Sequence, residues 1–384
     1  MRLSRRVGEL PASGIRAMFT LAEKYTDTIN LGIGEPGFPT PRHIIDACTK
    51  ALDDGYTKYV ANAGFMPLRK AIAERMVRDR GFHVEAENVI VNFGAGQSLM
   101  SVMQAILDPG DEIIVPDPCF ANYFGYISLA QGVPVLSPTH EEDAFHVKAK
   151  DIASRVTGKT KAVIVNSPCN PTGSVTPRKD LEEIAEVAKE RDLIVISDEP
   201  YGSIIFDGNE HFSIGTLPGM FERTITVDSF SKTYAMTGWR IGWAVGTPDL
   251  IKAMTLLQGS LSANVTSAVQ VAAIAALTGP QGCVGEMVAE YDARRKILVE
   301  GLNEVKGISC IMPEGAFYAF ANIKGTGMSS KDLAIKLLDE VQVVTTPGDA
   351  FGPDGEGYLR FSFAATADNI REALGRMKKC LGEK

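Results

Sequence analysis

The sequence predicts an α/β protein, with a mostly parallel central sheet flanked by helices and a smaller α+β lobe after it. Three observations predict this. Short apolar runs alternate with stretches of helical periodicity through the middle of the chain. Most of these runs are apolar through their centres and do not alternate, as expected of strands covered on both faces. After about residue 280 the pattern changes to one long helix followed by short strands and interleaved helices.

Taken in order, the run at 88–93 is apolar and ends at glycines. Gln97–Leu107 carries apolar residues at helical spacing, and Asp108-Pro109-Gly110-Asp111 is turn chemistry. Strands are predicted next at Glu112–Val115, Lys161–Asn166 and Leu193–Asp198, the last two separated by a charged helix over Asp180–Glu190. Thr224–Asp228 and Ile241–Val245 complete the large sheet. A helix then runs over Val284–Val305, with strands at Ser309–Met312, Phe317–Ala321, Gln342–Thr345 and Tyr358–Phe363. Helices fall at Ser330–Glu340 and Thr366–Leu381. The first 40 residues have too little apolar content for a core of their own. The expected organisation is a segment 1–40 packing on the small domain, a large domain 41–283 and a small domain 284–384.

Composition bounds the function. The 384 residues carry 39 Lys and Arg against 47 Asp and Glu, a net charge of −8 without basic blocks. That argues against a nucleic-acid partner, which needs a cationic face. No apolar run approaches the ~20 residues that span a bilayer, and the N-terminus has no apolar signal region. Cys48, Cys119, Cys169, Cys283, Cys310 and Cys380 are scattered, with no metal-ligand spacing. Reduced thiols, a cytoplasmic location and no metal are expected.

Several residues stand out chemically. Lys232 follows an apolar strand in Ser229-Phe-Ser-Lys-Thr-Tyr-Ala-Met-Thr-Gly-Trp-Arg240. Near a strand end in an apolar context its pKa would fall, which suits Schiff-base chemistry, whereas the plain alternative is a solvated loop lysine. Arg240 needs an anion, either a phosphate or an internal carboxylate, and Ser229 and Ser231 could add hydroxyls to the same anion. The loop Asn92-Phe-Gly-Ala-Gly-Gln97 could offer backbone N–H groups to a phosphate or be only a tight turn. It matches neither a P-loop nor a dinucleotide fingerprint. Asp198 ends a strand where open α/β sheets bind ligands and could hold a cationic ring nitrogen or cap the next segment. Tyr201 could donate to a phenolate or simply pack. Asn170 lies in a rigid loop after another strand and could bond a ligand or its own backbone. Arg360, flanked by apolar residues, suits a substrate carboxylate or an exposed strand face. On its own residues, Gly34 in Leu31-Gly-Ile-Gly-Glu-Pro-Gly37 need serve only a turn. The five histidines form no cluster.

The order and spacing of these motifs resemble the class I aminotransferases, the fold-type I enzymes that use pyridoxal phosphate. The resemblance rests on the Lys232 motif, Asn170-Pro-Thr-Gly173, Ser197-Asp-Glu-Pro-Tyr201 and Gly32-Ile-Gly-Glu-Pro36, in the family's chain order. It covers essentially the whole chain and is nearest the aspartate and aromatic amino acid branch. It implies that Lys232 forms the internal aldimine and then moves a proton as base and acid. Asp198 would keep the pyridine nitrogen protonated, and Tyr201 and Asn170 would bind the phenolate oxygen. Gly94, Ala95, Ser229 and Arg240 would bind the phosphate, with Phe120 stacked on the ring. Tyr59 would reach the phosphate from the second subunit of a homodimer. Arg360 would hold the substrate α-carboxylate, with Gly34 and Asn170 lining the same pocket.

The implied reaction moves an amino group from an L-amino acid, of aspartate or aromatic type, to a 2-oxo acid such as 2-oxoglutarate in a ping-pong cycle. Two positions depart from the family pattern. Gly37 stands where relatives carry Asp, and Pro200 where many carry a β-branched or small residue; both bear on substrate preference. No second arginine for a side-chain carboxylate can be identified. A β-lyase on the same fold is the nearest alternative. A non-catalytic regulatory protein is another, but too few residues precede the glycine loop for a helix-turn-helix domain.

Overall fold

A computed structural model describes residues 4–8, 10 and 14–384 of the chain. The first positions of the expected segment 1–40, at 1–3, 9 and 11–13, lie outside the described residues. Strand β1 (Ile29–Asn30) is short and pairs in parallel far along the chain. The large sheet is built from β2 (Val89–Asn92), β3 (Glu112–Asp117), β4 (Val133–Pro138), β5 (Thr160–Asn166), β6 (Ile194–Asp198), β7 (Thr224–Ser229) and β8 (Gly242–Val245). Its spatial order is β2-β8-β7-β6-β5-β3-β4. Every pairing is parallel except those of β8, which runs against both neighbours. The central strands β7 and β8 are buried along their length, and β5 and β6 from Ala162 and Val195 onward, so both faces are covered there and the continuous apolar runs are explained.

The C-terminal lobe holds β9 (Tyr318–Asn322), β10 (Val343–Val344), β11 (Thr346–Pro347) and β12 (Tyr358–Ser362). β11, β12 and β9 form an antiparallel sheet, and β10 pairs with β1. One apolar core joins Leu333, Leu337, Phe361 and Phe363 to Met18, Ile29 and Leu31 from the N-terminal segment. The long helix Gly282–Glu304 packs on the last helix, Ala367–Leu381.

Three sequence expectations need correction. β4 was not anticipated. It is an edge strand that starts exposed and contains Pro134 and Pro138, a composition that reads as loop. Ser309–Met312 is not a strand. Only Ser309 bridges to Asn322, because the Cys310 N–H donates to the Asn303 side chain. The strand predicted from Gln342 begins at Val343, since Gln342 closes the preceding helix with φ 52°.

Candidate active site

The carboxyl ends of the parallel strands define one edge of the large sheet, the edge where such sheets bind ligands. Asn166, Asp198 and Ser229 are the last residues of β5, β6 and β7. Because β8 is reversed, its beginning lies at the same edge, and Arg240 arrives there from the opposite chain direction. A cleft of about 520 Å³ opens at this edge. Its lining includes Gly34, Ala95, Phe120, Asn170, Asp198, Tyr201, Ser229, Lys232, Arg240 and Arg360. Of the predicted residues, Gly94 stands just behind the lining, against Arg240. Tyr59 is not in this cleft and is 89% exposed.

Lys232 sits in the short helix Phe230–Thr233 directly after β7, where the Ser229 hydroxyl caps the Ser231 N–H. Its amine donates to the Gly34 carbonyl at 2.5 Å and lies 5.8 Å from the Tyr201 ring centre. Burial, with the positive charge of Arg360 next, pushes its pKa down to about 8. The solvated-loop reading of this lysine is therefore wrong.

Asp198 is buried and does not cap a helix. One carboxylate oxygen accepts from the Tyr123 hydroxyl at 2.5 Å, and the other, Oδ1, has no partner among the described residues. Burial raises its pKa to about 7, and the nearby acids Asp228 and Glu199 push the same way. A buried carboxylate with a free oxygen facing a cleft suits a cationic N–H donor. Asn166 ties the neighbouring loop in place, donating to the Asp198 carbonyl and accepting from the Asn170 N–H.

Arg240 makes no ion pair among the described residues. Its guanidinium donates to the carbonyls of Thr237 and Phe93. It lies against Gly94, whose φ of +78° and closeness exclude a side chain: a Cβ there would stand 2.9 Å from Nη2. The helix Ala95–Ile106 starts at this point with no side-chain cap. An uncapped helix start, two serine hydroxyls and a guanidinium without an acidic partner among the described residues make an anion cradle.

Arg360 is 2% exposed, so the strand-face alternative is also wrong. It lies on β12, between the rings of Tyr318 and Phe351 at 4.4 and 4.7 Å. It donates to Asn170 Oδ1 at 2.8 Å and to the Gly32 carbonyl at 2.6 Å, and its Nε has no partner among the described residues. Among the described residues no carboxylate pairs with it. A buried guanidinium without a counter-ion is a receptor for an anionic ligand.

Sequence reasoning missed Tyr123, Tyr126 and Tyr318. Tyr123 reaches Asp198 across 75 residues of chain, and Tyr318 reaches Tyr201 across 117. No local pattern marks such contacts. The two unusual positions differ in place. Pro200 lines the cleft, whereas Gly37 does not, and a Cβ on Gly37 would meet the Ala364 carbonyl at 2.0 Å. Gly37 thus answers to packing.

The chain matches the family model described as aminotransferase class I and II over residues 26–377. It is 45% identical to an aspartate aminotransferase of Pyrococcus abyssi, across 100% of this chain and 99% of that protein. It is 41% identical to aromatic-amino-acid aminotransferase 2 of Thermococcus litoralis, again across 100% and 99%. Among solved structures, Thermus thermophilus aspartate aminotransferase with maleate superposes with a TM-score of 0.95 at 38% identity, covering 99% of this chain and 100% of that one.

Proposed function

The chain belongs to the class I and II aminotransferases, enzymes of amino-group transfer that work with pyridoxal phosphate, and from that premise we propose how its own residues divide the work. The observation that carries the reading is the unpartnered Asp198 Oδ1, buried in the same cleft as the Lys232 amine. When bound, pyridoxal phosphate supplies the carbonyl carbon that carries the amino group and the ring that accepts electrons. Gly94, Ala95, Ser229 and Arg240 bind the phosphate. Asp198 Oδ1 would accept from the ring nitrogen and hold its proton, while Tyr201 and Asn170 would bind the phenolate oxygen and Phe120 would cover the ring. Lys232 Nζ would hold the cofactor, and its free amine would take a proton from the amino acid Cα and return one. Its depressed pKa suits both directions near neutral pH. Arg360 holds the α-carboxylate with two parallel hydrogen bonds and so orients the Cα–H bond.

The donor follows from charge. The cations lining the cleft are Lys232, Arg240 and Arg360, and each already has a task. The remaining lining includes Ile33, Leu99, Phe120 and Tyr126, with the Glu35 carboxylate close by. Among the described residues a second substrate carboxylate finds no further cation in this cleft, so phenylalanine and tyrosine are the preferred donors, and a dicarboxylic acceptor such as 2-oxoglutarate needs a cation from elsewhere in the assembly. Aspartate is the second reading, favoured by the Pyrococcus abyssi relative, and it requires a cation from elsewhere in the assembly. The active form is a homodimer in which the exposed Tyr59 reaches the partner's phosphate site. The chain divides at 1–40, 41–283 and 284–384, and the six free thiols support a cytoplasmic setting.

The test is the visible spectrum of the holoenzyme as single L-amino acids are added. Loss of the yellow band with phenylalanine or tyrosine, restored by a 2-oxo acid, is the expected result. Release of pyruvate or ammonia without reversible bleaching would instead make it a lyase.

A further inference from the structure

Among the described residues of the cleft, one buried polar side chain has no task so far. Tyr318, on β9 of the C-terminal lobe, is buried and lines the cleft. Its hydroxyl shares a 2.8 Å hydrogen bond with the Tyr201 hydroxyl. The Arg360 guanidinium lies over its ring at 4.4 Å. The hydroxyl fits there because residue 34 is glycine: a Cβ at that position would stand 2.7 Å from it. The same residue accepts from Lys232 through its carbonyl.

We propose that Tyr318 is a positioning residue for the cofactor phenol site, donating its hydroxyl proton to Tyr201 so that Tyr201 can donate its own to the phenolate oxygen. The inference rests on the placement of Tyr201 proposed above. Two phenols in contact share one hydrogen bond, so one donates and one accepts. If the Tyr201 proton is committed to a ligand oxygen, only Tyr318 is left to fill the contact. Burial raises the pKa of both phenols, and the Arg360 charge directly over the Tyr318 ring offsets part of this at Tyr318, which favours Tyr318 as the donor. A phenol that accepts one hydrogen bond becomes a stronger donor in the next. The stronger donor stabilises negative charge on the phenolate oxygen, which favours the deprotonated form of the coloured cofactor–lysine linkage.

The experiment is a pH titration of the visible absorbance of the holoenzyme, comparing wild type with Tyr318→Phe. The substitution removes only the hydroxyl and keeps the ring against Arg360. The midpoint is expected to rise by up to about one pH unit, the equivalent of one hydrogen bond. The Michaelis constant for the amino acid should change less than about twofold, because the Arg360 face contact survives. In a Tyr201→Phe background the same substitution should shift the midpoint no further, since its effect runs through Tyr201. An unchanged midpoint in Tyr318→Phe would overturn the proposal. An equal shift in both backgrounds would also overturn it, by showing an effect independent of Tyr201. A wild-type protein that shows no pH-dependent colour with pyridoxal phosphate would remove the underlying reading of Tyr201 and Lys232 as well.

Discussion

A lysine amine and an arginine guanidinium carry most of the chemistry, and each is held in a state that water alone would not favour. Burial brings Lys232 to a pKa of about 8, so roughly half of the amine is uncharged at that pH. Its replacement by alanine should lower turnover by about 10²–10⁴-fold or more while leaving the circular dichroism spectrum unchanged. Near-normal transamination by that variant would remove Lys232 from the reaction. Arg360 is different, since it acts on binding. It is enclosed by two aromatic rings and has no acid beside it among the described residues, so a substrate carboxylate would complete the pair. Arg360→Ala should cost the amino acid about 2–5 kcal/mol of binding, seen mainly in the Michaelis constant. A constant that stays at the wild-type value would place the carboxylate elsewhere.

At the scale of the element, the junction of β2 with the helix Ala95–Ile106 sets the anion cradle. Gly94 has φ +78° and lies so close to Arg240 that any Cβ must displace the guanidinium. Gly94→Ala should therefore loosen the phosphate cradle, with a dissociation constant for pyridoxal phosphate raised about tenfold, the effect of ~1.4 kcal/mol. Spectrophotometric titration of the apoprotein measures it, and an unchanged constant would mean that the glycine serves only a turn. The strands that end in this cradle were legible in the sequence, because strands buried on both faces write continuous apolar runs. Lys232, Asp198 and Arg240 were legible as motif residues. β4 was not, because an edge strand with prolines carries no such run. Tyr123 and Tyr318 were hidden for another reason: each acts through one hydroxyl across a long stretch of chain, and nothing beside it in sequence announces the partner. Gly37 was misleading. Its departure from the family pattern pointed to the substrate, while the structure ties it to the Ala364 carbonyl.

Across the whole molecule, the sheet edge that binds the cofactor concentrates buried acids, and this gives the fold an unusual dependence on pH. Burial is the main cause that raises Asp117, Asp198 and Glu199 to about 7 and Asp228 to about 6. In the unfolded chain these groups titrate near 4. Between about pH 4 and 7 the folded state thus holds more protons than the unfolded one, and their contribution to stability is lost as pH rises through that window. Lys232 acts in the opposite direction at higher pH. Its folded pKa near 8 lies below the free value of 10.5, so stability is regained as pH climbs between them. The acids whose pKa falls on folding, Asp207 and Glu314 among them, give up their contribution only below about pH 4.5 and leave the middle window alone. The apoprotein should therefore melt at a lower temperature at pH 7.5 than at pH 5. Pyridoxal phosphate should flatten that slope, because a cationic ring nitrogen at Asp198 Oδ1 lowers the pKa of this one acid and removes its share of the loss. Calorimetric scans of apoprotein and holoenzyme at pH 5, 6, 7 and 8 make the comparison. Parallel slopes in the two forms would mean that Asp198 keeps its proton with the cofactor bound and does not face the ring nitrogen.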